Sequence, residues 1–231
     1  MIFSNQKTIS KSVKLTGVGL HNGIDAELEI KPANENFGIN FCRVDIDKND
    51  LITANFKNVV EPVLCTKIAN KNGITVSTVE HLMAAFFGEG IDNALVEINA
   101  SEVPILDGSA SEFVEAIRSA GIKEQTAPRN FIQVKKKIEV REGEKFISIE
   151  PSNNDLIIDF EIVYKNPLIR TRRKEFKFTH DKLSEIYNSR TFCLYEDIDF
   201  IKSQGLAKGG SLDNAIAVSY THLRAHETLL Y

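Results

Sequence analysis

Residues Ser77 to His81 read Ser-Thr-Val-Glu-His and lead into Leu82, Met83, Ala84, Ala85, Phe86 and Phe87. A carboxylate beside an imidazole, here Glu80 and His81, pairs the residue types of a general base and a metal ligand. Val79, Leu82, Met83 and Phe86 follow a 3.6-residue period, which predicts a helix opening at Ser77 and ending near Gly88. On the first turn of such a helix the macrodipole disfavours the imidazolium, and a metal needs the neutral ring. Ala84 and Ala85, one turn further on, leave room beside the pair. The same letters also fit a capping box, Ser77-x-x-Glu80, in which Glu80 only reaches back to a backbone N–H. In that case His81 is an ordinary helix residue.

The elements that would position this pair alternate short strands with turns. Val13 to Leu20 and Ala26 to Ile30 alternate around Gly17-Val18-Gly19 and a His21-Asn22-Gly23 turn. Phe37 to Phe41, Val63 to Ile68 and Leu95 to Ile98 continue the strand pattern, and Asp107-Gly108 marks a turn. A second helix is expected from Ser111 to Ala120, with Phe113, Val114 and Ile117 on one face and Gly121 behind it. Lys123 to Asn130, polar and containing Pro128, reads as a linker. Strands then follow at Phe131 to Val140, Lys145 to Glu150 and Leu156 to Tyr164, the last with Leu156, Ile158, Phe160, Ile162 and Tyr164 on one face. Helices near Asp181 to Tyr187 and Glu196 to Ser203 complete the pattern. Strands followed by helices, twice over, predict an α+β protein of two domains.

The length of 231 residues allows two modest domains or one large one. A net charge of -4 argues against a general nucleic-acid binder, and no RNA-binding aromatic motif occurs. The basic clusters Lys135-Lys136-Lys137 and Arg170 with Arg172-Arg173-Lys174 read as a solvated strand edge and loop, or as contacts to a phosphate-bearing substrate. Cys42, Cys65 and Cys193 are odd in number and form no Cys-x-x-Cys pair, which predicts free thiols in a reducing compartment. No signal-peptide core and no bilayer-length apolar run occurs, and a cytoplasmic protein is expected.

Several motifs appear in order: Gly17-Val-Gly-Leu-His21, Leu64-Cys-Thr66, Ser77-Thr-Val-Glu-His-Leu82 and Gly90-Ile-Asp-Asn93. Pro104-Ile-Leu-Asp-Gly-Ser-Ala110, Arg190-Thr-Phe192 and Gly209-Gly-Ser211 follow. Over about residues 2–217 this set resembles the UDP-3-O-acyl-N-acetylglucosamine deacetylases, the zinc amidases of lipid A synthesis in Gram-negative bacteria. The resemblance implies a cytoplasmic Zn2+ hydrolase that removes the acetyl group from an acylated UDP-sugar. It also implies two similar two-layer β/α sandwich domains packed helix to helix, residues 1–126 and an incomplete 127–217. By that likeness His81 is the first zinc ligand, Glu80 the general base and Thr191 a hydroxyl donor at the site. Phe192 to Ala217 resembles the insert lining the acyl-chain passage, with Leu194, Ile198 and Ile201 as apolar wall, and Phe160 is expected to bind substrate. Leu194, Ile198 and Ile201 also fit simple packing of that helix. Asp107 is expected to fix a turn at the site and His21 to sit near the cleft, each with a structural role as the alternative. The implied partner is the UDP-sugar lipid precursor, met by a monomer whose acyl product gives peripheral contact with the inner membrane.

The chain departs from the family after Ala217. The family takes its further zinc ligands from a His-x-x-x-Asp pattern after the insert and a later histidine to assist the leaving amine, and none of these occurs here. Ser219 to Thr228 instead resembles the conceptual translation of a transposon-type sequencing-library adapter. On that reading 218–231 is an artefactual tail, and His222 and His226 with Glu227 are not a metal site. An inactive fragment of a deacetylase is then expected, with an exposed apolar sheet face in the second domain. The competing reading is a paralogue that keeps the sugar-nucleotide and acyl surface but has abandoned metal.

Overall fold

The computed structural model describes residues 5–153, 156–166, 169–178 and 183–219. They form an α+β structure that divides into two compact units, one from the stretches 1–128 and 184–231 and the other from 129–183.

The first unit opens with β1 (Asn5–Ile9), β2 (Val13–Val18), β3 (Asp25–Pro32), β4 (Ile39–Arg43) and β5 (Leu51–Thr53). Then come β6 (Lys67–Ala69), β7 (Thr75–Ser77), α1 (Glu80–Glu89), β8 (Ala94–Ile98), α2 (Ser111–Ala120) and β9 (Ile122–Pro128). Its main sheet has the order β2-β3-β8-β4-β5, with β4 and β8 parallel and the other pairs antiparallel. Alternation explains which face is buried: Ala26, Leu28 and Ile30 of β3 are buried beside Ala94, Val96 and Ile98 of β8. The intervening charges pair on the other face, Lys14 with Glu27 at 2.8 Å and Lys31 with Glu97 at 2.7 Å.

Helix α2 spans the predicted residues and buries Phe113, Val114, Ile117 and Ala120. It packs on α1, which buries Leu82, Ala85 and Phe86. Full burial of Phe41, Phe86 and Phe113 contributes about 1.5–3 kcal/mol each. Arg118 of α2 grips the Glu89 carboxylate of α1 through two bonds of 2.8 and 3.0 Å.

Several expectations change. The predicted linker is strand β9, an edge partner of β1, because backbone pairing with Lys7, Thr8 and Ile9 needs no apolar side chains. The Val63–Ile68 strand shrinks to β6, since Leu64 sits at φ 56° and breaks the extended run. Helix α1 ends at Gly90, at φ 69°, rather than at Gly88. Gly88 lies within the helix, where an added Cβ would meet the Tyr187 ring at 2.7 Å.

In the second unit β10 (Ile138–Glu142) pairs with β11 (Lys145–Ile149), and β12 (Ile157–Val163) with β13 (Thr171–Lys177), both antiparallel. Many of their apolar residues, among them Val140, Phe146, Ile147, Phe160 and Val163, are exposed, while Phe176 is buried. The chain continues with α3 (Leu183–Tyr187), β14 (Phe192–Leu194), α4 (Ile198–Ser203) and β15 (Ile216–Val218), where β14 and β15 pair in parallel. Asp181 and Lys182 of the predicted helix lie outside the described residues, and Glu196 falls in a 3-10 turn before α4.

Candidate active site

The start of α1 is built differently from a capping box. Ser77 still belongs to β7: its N–H donates to the Ser101 carbonyl at 2.9 Å and its hydroxyl to the same carbonyl at 3.2 Å. Thr78 then turns at φ 56°, Val79 caps the helix without a side-chain bond, and Glu80 and His81 are its first two residues. Glu80 bonds to another segment: its Oε2 accepts the backbone N–H of Thr66 at 3.1 Å. Val79 N–H in turn donates to the Thr66 carbonyl at 3.4 Å, so the Leu64-Cys65-Thr66 segment is moored to the helix start.

His81 is half-buried. Burial pushes its pKa below the ordinary imidazole value, while the carboxylates of Glu80 and Asp107 pull the other way. The balance favours the neutral ring, the form able to ligate a metal. Asp107 holds the tight turn at Gly108 (φ 84°) by accepting the Ser109 N–H at 2.9 Å and the Ser109 hydroxyl at 2.8 Å. Its carbonyl accepts Arg190 Nε at 2.7 Å, and the other end of that guanidinium reaches the Leu212 carbonyl at 3.0 Å.

Thr191 follows directly. Its N–H donates to the Gly108 carbonyl at 2.8 Å and its carbonyl accepts the Ile216 N–H at 3.0 Å. It lines a largely apolar cavity of about 320 Å³ with Leu20, His21, Leu64, Ile198 and Ile201; Lys202 and Ser211 add polar groups. Of the residues expected at the site, Thr191, Ile198, Ile201 and His21 thus share one cavity. Leu194 ends β14 next to that wall but does not line it. Phe160 lies on β12 of the second unit, 62% exposed.

Sequence reasoning missed Glu102, which is 1% exposed and binds the His21 turn and Thr78. An acidic residue abutting the apolar run Val103-Pro104-Ile105 was the available signal. Among the described residues no group of three or more His, Cys, Asp or Glu side chains could hold a metal ion. His81 alone does not fit a zinc site, which takes three protein ligands and a water. His222, His226 and Glu227 lie outside the described residues. Cys42, Cys65 and Cys193 are free thiols.

The structure thus holds a half-buried imidazole beside an anchored carboxylate, and an apolar cavity that Thr191 lines and that Glu80 and His81 do not. Residues 6–231 match the LpxC family, described as UDP-3-O-acyl N-acetylglycosamine deacetylase, and the chain belongs to it. Proteins named UDP-3-O-acyl-N-acetylglucosamine deacetylase are similar throughout. That of Actinobacillus succinogenes is 42% identical over 229 residues, covering 98% of this chain and 75% of the relative. That of Haemophilus ducreyi is 39% identical with the same coverage, and that of Mannheimia succiniciproducens 44% identical over 216 residues, 92% of this chain and 70% of the relative.

Proposed function

We propose that Glu80, His81 and Thr191 are reaction-centre residues of a zinc-dependent deacetylase acting on UDP-3-O-acyl-N-acetylglucosamine in lipid A synthesis, and that the cavity receives the acyl chain. One observation carries this reading. Thr191 lines the apolar cavity while its backbone is bonded to Gly108, next to the Asp107 carboxylate that acts on His81. Glu80 takes a proton from water, the oxygen attacks the acetamide carbonyl, and the Thr191 hydroxyl donates to the developing oxyanion; the adduct then collapses with cleavage of the C–N bond, acetate leaving and the amine receiving the proton that Glu80 took. That hydroxyl makes no hydrogen bond among the described residues. Ile198 and Ile201, with Leu194 beside them, hold the chain, and Phe160 is taken as a substrate-binding residue.

Zinc in this family supplies a Lewis acid and an activated water, and His81 is the one ligand proposed here. The missing ligands belong to the family's His-x-x-x-Asp segment, and Ser219 to Thr228 is adapter read-through. The 231-residue chain is accordingly an inactive fragment of the enzyme. Its place is the cytoplasm, as a monomer with peripheral membrane contact through its acyl product, and nucleic acid is not its partner. No helix among the described residues is long and apolar enough to cross a membrane.

The absence of a three-ligand cluster among the described residues favours a second reading, a metal-free binder of the same lipid. Genomic sequencing across the codon for Ala217 separates the two. A frame running into a His-x-x-x-Asp segment, whose product releases acetate from UDP-3-O-acyl-N-acetylglucosamine, supports the deacetylase. A genomic frame that encodes Ser219 to Thr228, and a product that binds the lipid without hydrolysis, supports the binder.

A further inference from the structure

We infer that Glu102 is a positioning residue: one buried carboxylate fixes both the His21 wall of the cavity and the direction in which Glu80 and His81 leave the sheet. The inference rests on the proposed assignment of Glu80 and His81 to the reaction centre. Glu102 is 1% exposed, and among the described residues no cation pairs with it. A buried carboxylate without a counter-charge persists only where several donors replace its water. Three groups do so here. The His21 N–H reaches both oxygens at 2.9 and 3.1 Å, the Asn22 N–H reaches Oε2 at 2.8 Å, and the Thr78 hydroxyl reaches Oε1 at 2.8 Å.

The donors come from segments more than 50 residues apart, so the carboxylate ties two structures together. On one side is the turn after β2. There an added Cβ at Gly19 would meet first Asn22 Oδ1 and then Glu102 Oε2 at 2.8 Å, so the turn lies tight against the carboxylate. The far edge of that turn is held by the Lys208 N–H on the His21 carbonyl at 3.2 Å and the Gly209 N–H on the Leu20 carbonyl at 3.1 Å. Clamped from both edges, His21 lines the cavity, and among the described residues neither of its ring nitrogens has a hydrogen-bond partner.

On the other side is Thr78, 2% exposed and at φ 56°. A β-branched residue in the left-handed region is strained and persists only when its surroundings over-determine it. Thr78 is also the hinge at which the chain leaves β7 for α1. Glu102 is itself fixed, because Ser77 N–H donates to the Ser101 carbonyl and Val103 N–H to the Ser77 carbonyl, at 2.9 and 3.1 Å. The bond from Thr78 to Glu102 therefore sets where the pair two and three residues later points.

The test needs no turnover, so it fails or succeeds independently of the hydrolytic reading. In the 231-residue chain, imidazole Cε1–Hε1 NMR cross-peaks are assigned from His21→Asn and His81→Asn spectra and followed in Glu102→Gln, Thr78→Val and Thr78→Ser. The expected result is displacement of both peaks in Glu102→Gln and of the His81 peak in Thr78→Val, with Thr78→Ser restoring the wild-type position. A Glu102 that serves stability alone lowers the denaturation midpoint but leaves the peaks of the folded protein in place, and that outcome overturns the inference. If Glu102→Gln does not fold, the threonine pair decides: an unmoved His81 peak in Thr78→Val, or equal displacement in valine and serine, overturns it.

Discussion

Thr66 and Glu80 are joined by a bond from the Thr66 backbone N–H to Glu80 Oε2, 3.1 Å long. The donor is main chain, held in turn by the Val79 N–H on its own carbonyl. The carboxylate of the proposed base is therefore oriented by backbone, and among the described residues its Oε1 makes no hydrogen bond.

Replacing the proposed oxyanion donor should slow the chemical step. Thr191→Val keeps the shape of the residue before β14 and its backbone bonds while removing the hydroxyl. In the enzyme read from genomic DNA, kcat should fall about 100-fold with KM little changed. Steady-state kinetics at saturating substrate check this; an unchanged kcat removes Thr191 from the reaction.

Filling the cavity should discriminate by chain length. Ile201→Phe adds bulk to the wall of a space of about 320 Å³. The value of kcat/KM for a long-acyl substrate should fall ~10-fold, while a short-acyl analogue changes little. Equal losses for both would mean that the chain lies elsewhere.

Gly88 tests the packing of α1. Gly→Ala inside a helix ordinarily stabilises by about 1 kcal/mol. Here the new Cβ meets the Tyr187 ring, whose hydroxyl donates to Glu89 at 3.0 Å. Gly88→Ala should instead destabilise by about 1–3 kcal/mol. A raised urea midpoint would contradict this packing.

The proposed fragment should hold metal poorly. With His81 as its one ligand, the 231-residue chain should retain well below one zinc per chain after dialysis, measured by plasma mass spectrometry. Stoichiometric zinc would show that ligands from elsewhere complete the site.

Elements with side-chain periodicity were legible in the sequence, and those held by main chain were not. Helix α2 was read at its observed bounds because Phe113, Val114 and Ile117 mark one face. Strand β9 escaped because Ile122 to Pro128 is largely polar and its pairing with β1 leaves no apolar alternation. Ser77-x-x-Glu80 imitated a capping box, while Ser77 in fact pairs with the chain at Ser101. The family resemblance pointed to Thr191, Ile198 and Ile201; no local pattern joins them to His21, some 170 residues earlier. For Glu102 the abutting apolar run Val103-Pro104-Ile105 is the one signal, because its donors are two backbone N–H groups and one hydroxyl, which no charge pattern betrays.

The central claim, that Glu80 is the base of a deacetylase, is tested most directly by acetate release from UDP-3-O-acyl-N-acetylglucosamine. Wild type and Glu80→Gln would be compared in the protein encoded by the genomic frame across Ala217. The account predicts hydrolysis by the wild type and a loss of at least about 100-fold in kcat for the variant, with the fold and zinc content preserved. Wild-type protein that releases no acetate, or a variant as active as wild type, would contradict it.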